Sequence, residues 1–287
     1  MNKRSIYLSF ADLQGPVVLT GCAELTGIIA QVLRGWDISP YEGPHDTEPV
    51  IRIEKSGTSF IRHSRWLDEP ISFDDPVDAV CDFLVDLTKA YLDTATGMMC
   101  LHGAAAHFNS GLMIFPSTYH AGKSTLCVEL ARRGVRIFSD DVLPIENNRN
   151  FGVAPGILPR LRRPLPENAG TGLQGYMKSR ASAASDRFQY VDLHAHELAP
   201  LGETAPISGI VLLERDDANS PELLPARESD IVKNIILRNF SKNVAAADVL
   251  DRLIEISWQA DTHILKYATV EQAAELLCQR FGAKMSA

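Results

Sequence analysis

Apolar residues recur along this chain at two periods, and the switches between them mark out its elements. Over residues 4–10, Ile6, Leu8 and Phe10 alternate with other side chains, which predicts a half-buried strand. A short strand follows at 17–19. Leu25, Ile28, Ile29, Val32 and Leu33 then fall at helical spacing, and 50–53, 59–62 and 71–73 have the pattern of further short strands. Asp74-Asp75-Pro76 has the chemistry of a helix start, an acidic cap followed by proline at the first helical position. Val80, Phe83, Leu84, Leu87 and Tyr91 give that helix one apolar face, running to about Thr96-Gly97.

The second part of the chain is richer in apolar runs. Residues 98–108, MMCLHGAAAHF, predict one strand whose small residues leave room for a close neighbour, with His102 and His107 on opposite faces. Asn109-Ser110-Gly111 is a hairpin-type turn into a strand at 111–115. A helix with Leu126, Cys127, Leu130 and Ala131 is closed by Gly134, and buried strands are predicted at 135–138 and 142–145. Residues 156–188, rich in Gly, Pro, Ser and Ala, predict a long surface excursion. Beyond it come a strand at 207–213 and a helix capped by Ser229 with Ile231, Ile235 and Phe240. A second helix carries Val249, Leu250, Leu253, Ile254 and Trp258, and a strand follows at 263–267. Thr269 and Gln272 form a capping box for a last helix with Leu276, Leu277 and Phe281.

One stretch carries chemistry. In IFPSTYHAGKSTL, residues 114–126, a strand enters a tight turn and Gly122-Lys123-Ser124-Thr125 opens a helix. That order builds an anion site from the backbone N–H groups of Ser117, Thr118, Tyr119, His120, Ala121, Gly122, Lys123, Ser124 and Thr125. The Lys123 ammonium would reach outer phosphates, and the Ser124 hydroxyl would ligate Mg²⁺. The first glycine of the usual pattern is replaced by Ser117. Asp140 and Asp141 end an apolar strand shortly after the turn, where carboxylates would hold the metal and accept the proton of an attacking hydroxyl. Arg160 and Arg163, in a basic cluster, are candidates to neutralise phosphate or to meet the acceptor. His194 and His196 are spaced to share a strand face, but a third metal ligand is missing.

Composition restricts the partners. With 28 basic against 36 acidic residues the net charge is -8, which argues against general binding to nucleic acid or an anionic membrane. Any phosphate site must therefore be built locally. The five cysteines lack a CxxC pair and lie mostly in apolar runs, which fits reduced thiols. No signal-like segment or 18-residue apolar run is present, so a cytoplasmic protein is expected.

With LHGAAAHF, IFPSTYHAGKSTLCVELARRG and VRIFSDDVLPI in order, residues 98–145 resemble the catalytic domain of the HPr kinase/phosphorylase family. The likeness is nearer to its shorter bacterial relatives, which include lasso-peptide kinases. The resemblance implies an α/β fold, a P-loop kinase domain of the HPr kinase and phosphoenolpyruvate carboxykinase type at 76–287. A small α/β N-terminal domain at 1–75 lies outside it. It further implies that His102 is an active-site histidine, that Lys123 and Ser124 hold phosphate and Mg²⁺, and that one of Asp140 and Asp141 ligates metal while the other acts as base. The expected activity is ATP- and Mg-dependent phosphorylation of a serine or other hydroxyl on a peptide, small protein or metabolite. The alternative is a nucleotide-binding sensor or scaffold; a homo-oligomer is left open.

Overall fold

The computed structural model describes residues 4–10, 13–95, 98–116, 121–146, 148–166, 169–216, 220–239 and 244–282. The chain is mixed α/β. It begins with β1 (Ser5–Phe10), β2 (Val17–Thr20), α1 (Glu24–Val32), β3 (Ile38–Pro40), β4 (Ile51–Ser56), β5 (Ser59–Ser64) and β6 (Ile71–Phe73). These strands form a six-stranded sheet in the order β3-β1-β2-β4-β5-β6. Asp75 caps α2 (Pro76–Thr94), its carboxylate accepting from the N–H groups of Val77 at 2.7 Å and Asp78 at 3.3 Å. The α2 helix packs against α1 and β5, with Phe83 tilted onto Phe10 at 5.8 Å between ring centroids.

The second part contributes β7 (Met99–His102), β8 (Ala104–Phe108), β9 (Gly111–Phe115), α3 (Lys123–Arg132), β10 (Arg136–Ser139), β11 (Val142–Ile145), β12 (Phe151–Val153) and β13 (Arg160–Arg162). Then come α4 (Thr171–Ser179), β14 (Ala181–Ala184), β15 (Phe188–Val191), β16 (Thr204–Arg215), β17 (Glu222–Pro225), α5 (Glu228–Ile236), α6 (Ala246–Gln259), β18 (Asp261–Tyr267) and α7 (Val270–Phe281). A nine-stranded sheet runs β10-β8-β9-β16-β12-β11-β7, with β18 also paired to β16 and β17 to β18. Within it β9, β16 and β18 are parallel, so their C-terminal ends emerge on one edge. That edge is where an open α/β sheet offers a crevice to a ligand. The Thr269–Gln272 capping box is formed, and α7 lies along α3. No helix among the described residues is long and apolar enough to cross a membrane.

Five expectations about the fold are corrected. Residues 98–108 are two strands that part at Gly103, β7 pairing with β11 while β8 pairs with β9 and β10. A Cβ on Gly103 would lie 3.2 Å from the carbonyl oxygen of Phe115, so the glycine allows two strand ends to cross closely. His102 and His107 therefore belong to different strands. Residues 156–188 are no surface excursion: β13, β15 and β14 make a three-stranded sheet, and Leu158, Leu161, Leu173 and Met177 are buried. Ser229 sits inside the first turn of α5, whose cap is Arg227, and Phe240 lies outside the described residues. Leu250 and Trp258, which helical spacing put on one face with Val249 and Leu253, are exposed. His194 and His196 lie in a turned segment rather than on a strand, with their rings stacked at 5.6 Å.

The segment after β12 is held by the connector after α1. Arg34 N–H donates to the Gly156 carbonyl at 2.7 Å, Leu158 N–H to Val32 at 2.9 Å, and the Trp36 indole to Pro155 at 2.9 Å. Gly156 adopts φ 62°, and a Cβ there would lie 2.1 Å from the Arg34 carbonyl oxygen. Gly156→Ala is therefore expected to lower stability by at least about 2 kcal/mol, through strain at positive φ and loss of that contact. Urea unfolding of the two proteins checks it, and an unchanged midpoint would exclude this tight crossing.

Candidate functional site

Gly122, at φ 86°, is the N-cap of α3. Only a residue tolerant of positive φ lets the chain reverse there, and Leu126 N–H then closes the first helical bond to the Gly122 carbonyl at 2.8 Å. The first-turn N–H groups of α3 lack intrahelical partners, which gives this end of the helix its affinity for anions. Ala121, Gly122, Lys123, Ser124 and Thr125 line a cavity of about 570 Å³. Ser117, Thr118, Tyr119 and His120 lie outside the described residues.

The acidic wall of the cavity is the turn between β10 and β11. Its shape is fixed locally: Asp141 N–H donates to the Ser139 hydroxyl at 3.2 Å, and that hydroxyl donates to the Val142 carbonyl at 2.5 Å. Asp140 is 7% exposed; it accepts the Arg160 backbone N–H at 2.9 Å and a hydrogen bond from Ser124. Asp141 is more open. One of its oxygens lies 3.3 Å from His102 Nδ1 and the other 3.8 Å from the Arg160 guanidinium. The break at Gly103 brings His102 here, with Gly103 N–H donating to the Asp141 carbonyl at 2.8 Å.

Burial dominates the electrostatics. The Asp140 carboxyl is pushed up from 3.8 to about 6, first by desolvation and then by the Asp141 charge, against the opposing pull of Arg160 and Ser124. Desolvation also lowers His102 and Lys123, in both cases only partly offset by Asp141. His102 is thus neutral near pH 7, with Nδ1–H placed to donate to Asp141.

Among the expected residues, His102, Lys123, Ser124, Asp140, Asp141 and Arg160 share this cavity. Arg163 does not: its guanidinium donates to the Ser185 carbonyl at 3.0 Å, because β13 alternates its side chains and sends 160 and 163 different ways. Arg215 was not foreseen. It ends β16 beside the turn, its Nη2 3.3 Å from where a Gly122 Cβ would lie, next to Tyr267, whose hydroxyl donates to the Ala121 carbonyl. An apolar run ending in Arg, GIVLLER, is the only sequence signal it leaves. Arg238, whose carbonyl accepts from His102 N–H at 2.8 Å, was also missed.

The donor set fits a hard cation. The Ser124 hydroxyl and Asp140 carboxylate are oxygen ligands already in contact, and a buried carboxylate that keeps its proton to about pH 6 is short of positive charge. Among the described residues no group of three or more His, Cys, Asp or Glu is placed to hold a metal by itself. Mg²⁺ bound through one or two carboxylates together with phosphate oxygens does not need such a group.

No protein-family model matches this chain, and a search of curated proteins finds no match either. Among solved structures, the Hpr(Ser) kinase/phosphatase from Coxiella burnetii is similar over 66% of this chain and 99% of that one. The identity is 14% and the TM-score 0.32. A likeness at that score carries no argument about function.

The Asp140 shift has a measurable consequence. Between about pH 4 and pH 6 the folded protein retains a proton that the unfolded chain has released, so stability falls as pH rises through that window. A rise from 3.8 to about 6 corresponds to roughly 3 kcal/mol above it. Asp140→Asn keeps the acceptor for Arg160 without the charge. It should melt several degrees higher than the wild type at pH 7, with the gap closing toward pH 4, as read by thermal unfolding without metal.

Proposed function

We propose that the protein is a phosphotransferase that uses ATP and Mg²⁺ to phosphorylate a serine or other hydroxyl on a peptide, small protein or metabolite. The observation that carries this reading is the convergence of Lys123, Ser124, Asp140, Asp141, His102 and Arg160 on one cavity. Charge supports it. Among the described lining residues outside α2 four are Lys or Arg (Lys123, Arg160, Arg162, Arg215) and two are Asp, in a chain of net charge -8. A cationic cavity in an acidic protein suits a polyphosphate.

Bound Mg²⁺ and ATP would supply the phosphoryl group and the cation that offsets its charge, with Ser124 and Asp140 as the metal's protein ligands. Lys123, 8% exposed, presents its ammonium where water screens it little. The α3 N–H groups orient the phosphates. Asp141 is the group placed to accept the hydroxyl proton: it is open to the cavity and oriented by His102 Nδ1–H. Arg160, beside Asp141, and Arg215, beside Gly122, would offset negative charge on the transferring group. Rate comes from positioning and charge neutralisation, since phosphoryl transfer demands little covalent chemistry of the protein.

Lys123→Ala should abolish ADP formation with peptide and small-molecule hydroxyl acceptors while leaving the circular dichroism spectrum unchanged. Persistent turnover in that variant would overturn the assignment. Asp141→Asn should lower kcat by about 10²-fold or more while the Kd for Mg·ATP, measured by calorimetry, moves little. If the wild type binds Mg·ATP but yields no ADP with any acceptor, the sensor alternative takes its place.

A further inference from the structure

The cavity has a wall that phosphate binding does not use. Along α2, Cys81, Leu84, Val85, Thr88 and Lys89 line it, at the i, i+3, i+4, i+7, i+8 spacing that puts side chains on one stripe of a helix. Cys81 and Thr88 are already engaged, the Tyr190 hydroxyl donating to the Cys81 sulfur at 3.2 Å and Thr88 to the Leu84 carbonyl at 2.8 Å. What this stripe offers a ligand is the aliphatic surface of Leu84 and Val85 and, one turn on, an ammonium. Most of the neighbouring α2 side chains are buried, yet Val85 is 43% exposed. Ile157 and Leu158 also line the cavity and add apolar surface.

Lys89 is held where it is by a buried charge cluster. Its Nζ lies 3.6 Å from Asp86, which is fully buried and ion-paired to Arg62 of β5, itself 2% exposed and 2.5 Å from Asp82. Two carboxylates face one guanidinium there, and the Lys89 ammonium, 27% exposed, stands at the edge of the cluster where it borders the cavity. An ion cluster of this kind adds little net stability over an apolar replacement; what it does is fix the position of its members.

We propose that the α2 stripe is the acceptor subsite, and that it takes a hydroxyl compound with an apolar body and one anionic group, the body lying on Leu84 and Val85 and the anion meeting Lys89. This rests on the phosphotransferase reading for the use made of the hydroxyl, but binding alone tests it. Calorimetric or NMR titration of the full chain would compare 4-(hydroxymethyl)benzoate, which has all three features, with 4-methylbenzyl alcohol, which lacks the anion, and glycolate, which lacks the body. The wild type should bind the benzoate at least tenfold tighter than either. Lys89→Met should erase the preference over the alcohol, and Lys89→Arg should keep most of it. Val85→Glu, at an exposed position, should abolish benzoate binding and provides the test if Lys89→Met fails to fold.

Equal binding of the two aromatic probes, no binding of the benzoate, a preference that survives Lys89→Met, or benzoate binding unaffected by Val85→Glu would each overturn the proposal. Mg·ATP titrated into the wild type tests the phosphotransferase reading separately. Its failure would leave the probe results standing as evidence about the wall itself.

Discussion

A carboxylate buried with too little positive charge around it is the constraint on which this structure turns. Asp140 is held by one backbone N–H and one hydroxyl, with a second carboxylate next in sequence. Such a group destabilises the fold unless a cation meets it, and chains keep arrangements of that kind mainly where a site requires them. Its neighbours follow from it. Ser124 must come from a helix start, Arg160 from a strand fed by a tight crossing, and Asp141 must turn the opposite way to reach His102.

Three parallel strand ends give the site its second side. The ends of β9, β16 and β18 bring Ala121, Arg215 and Tyr267 together, although more than 140 residues separate Ala121 from Tyr267 in the bond that joins them. The early part of the chain is not a bystander to this arrangement. Through α2 it supplies a wall of the cavity, and through residues 32–36 it grips the segment that delivers Arg160. One continuous apolar core, from Phe10 and Leu25 through Phe83 to Val128 and Leu265, makes those contacts stiff.

Where the pattern of the sequence misled, the causes are specific. The run from 98 to 108, apolar apart from its two histidines, carries no mark of its division except Gly103, whose role depends on the end of β9 at Phe115. The small and polar residues of 156–188 read as solvent-facing because the larger buried side chains among them, such as Leu158, Leu161, Leu173 and Met177, are too sparse to show a period. Leu250 and Trp258 obey the helical spacing yet face outward, since spacing specifies a face and not what covers it.

The sequence by itself determined the local chemistry. The strand β9, the helix opening at Lys123, the carboxylate pair at a strand end, the Asp75 cap and the Thr269 capping box all follow from backbone geometry and hydrogen bonding within a few residues. Only the tertiary structure decided which distant groups join them: that Arg160 enters the site and Arg163 leaves it, that Arg215 stands beside Gly122, and that Lys89 is fixed at the cavity by Asp86 and Arg62. Propensity and capping act over a turn or two. Strand pairing and burial act between residues whose separation in sequence leaves no periodic trace.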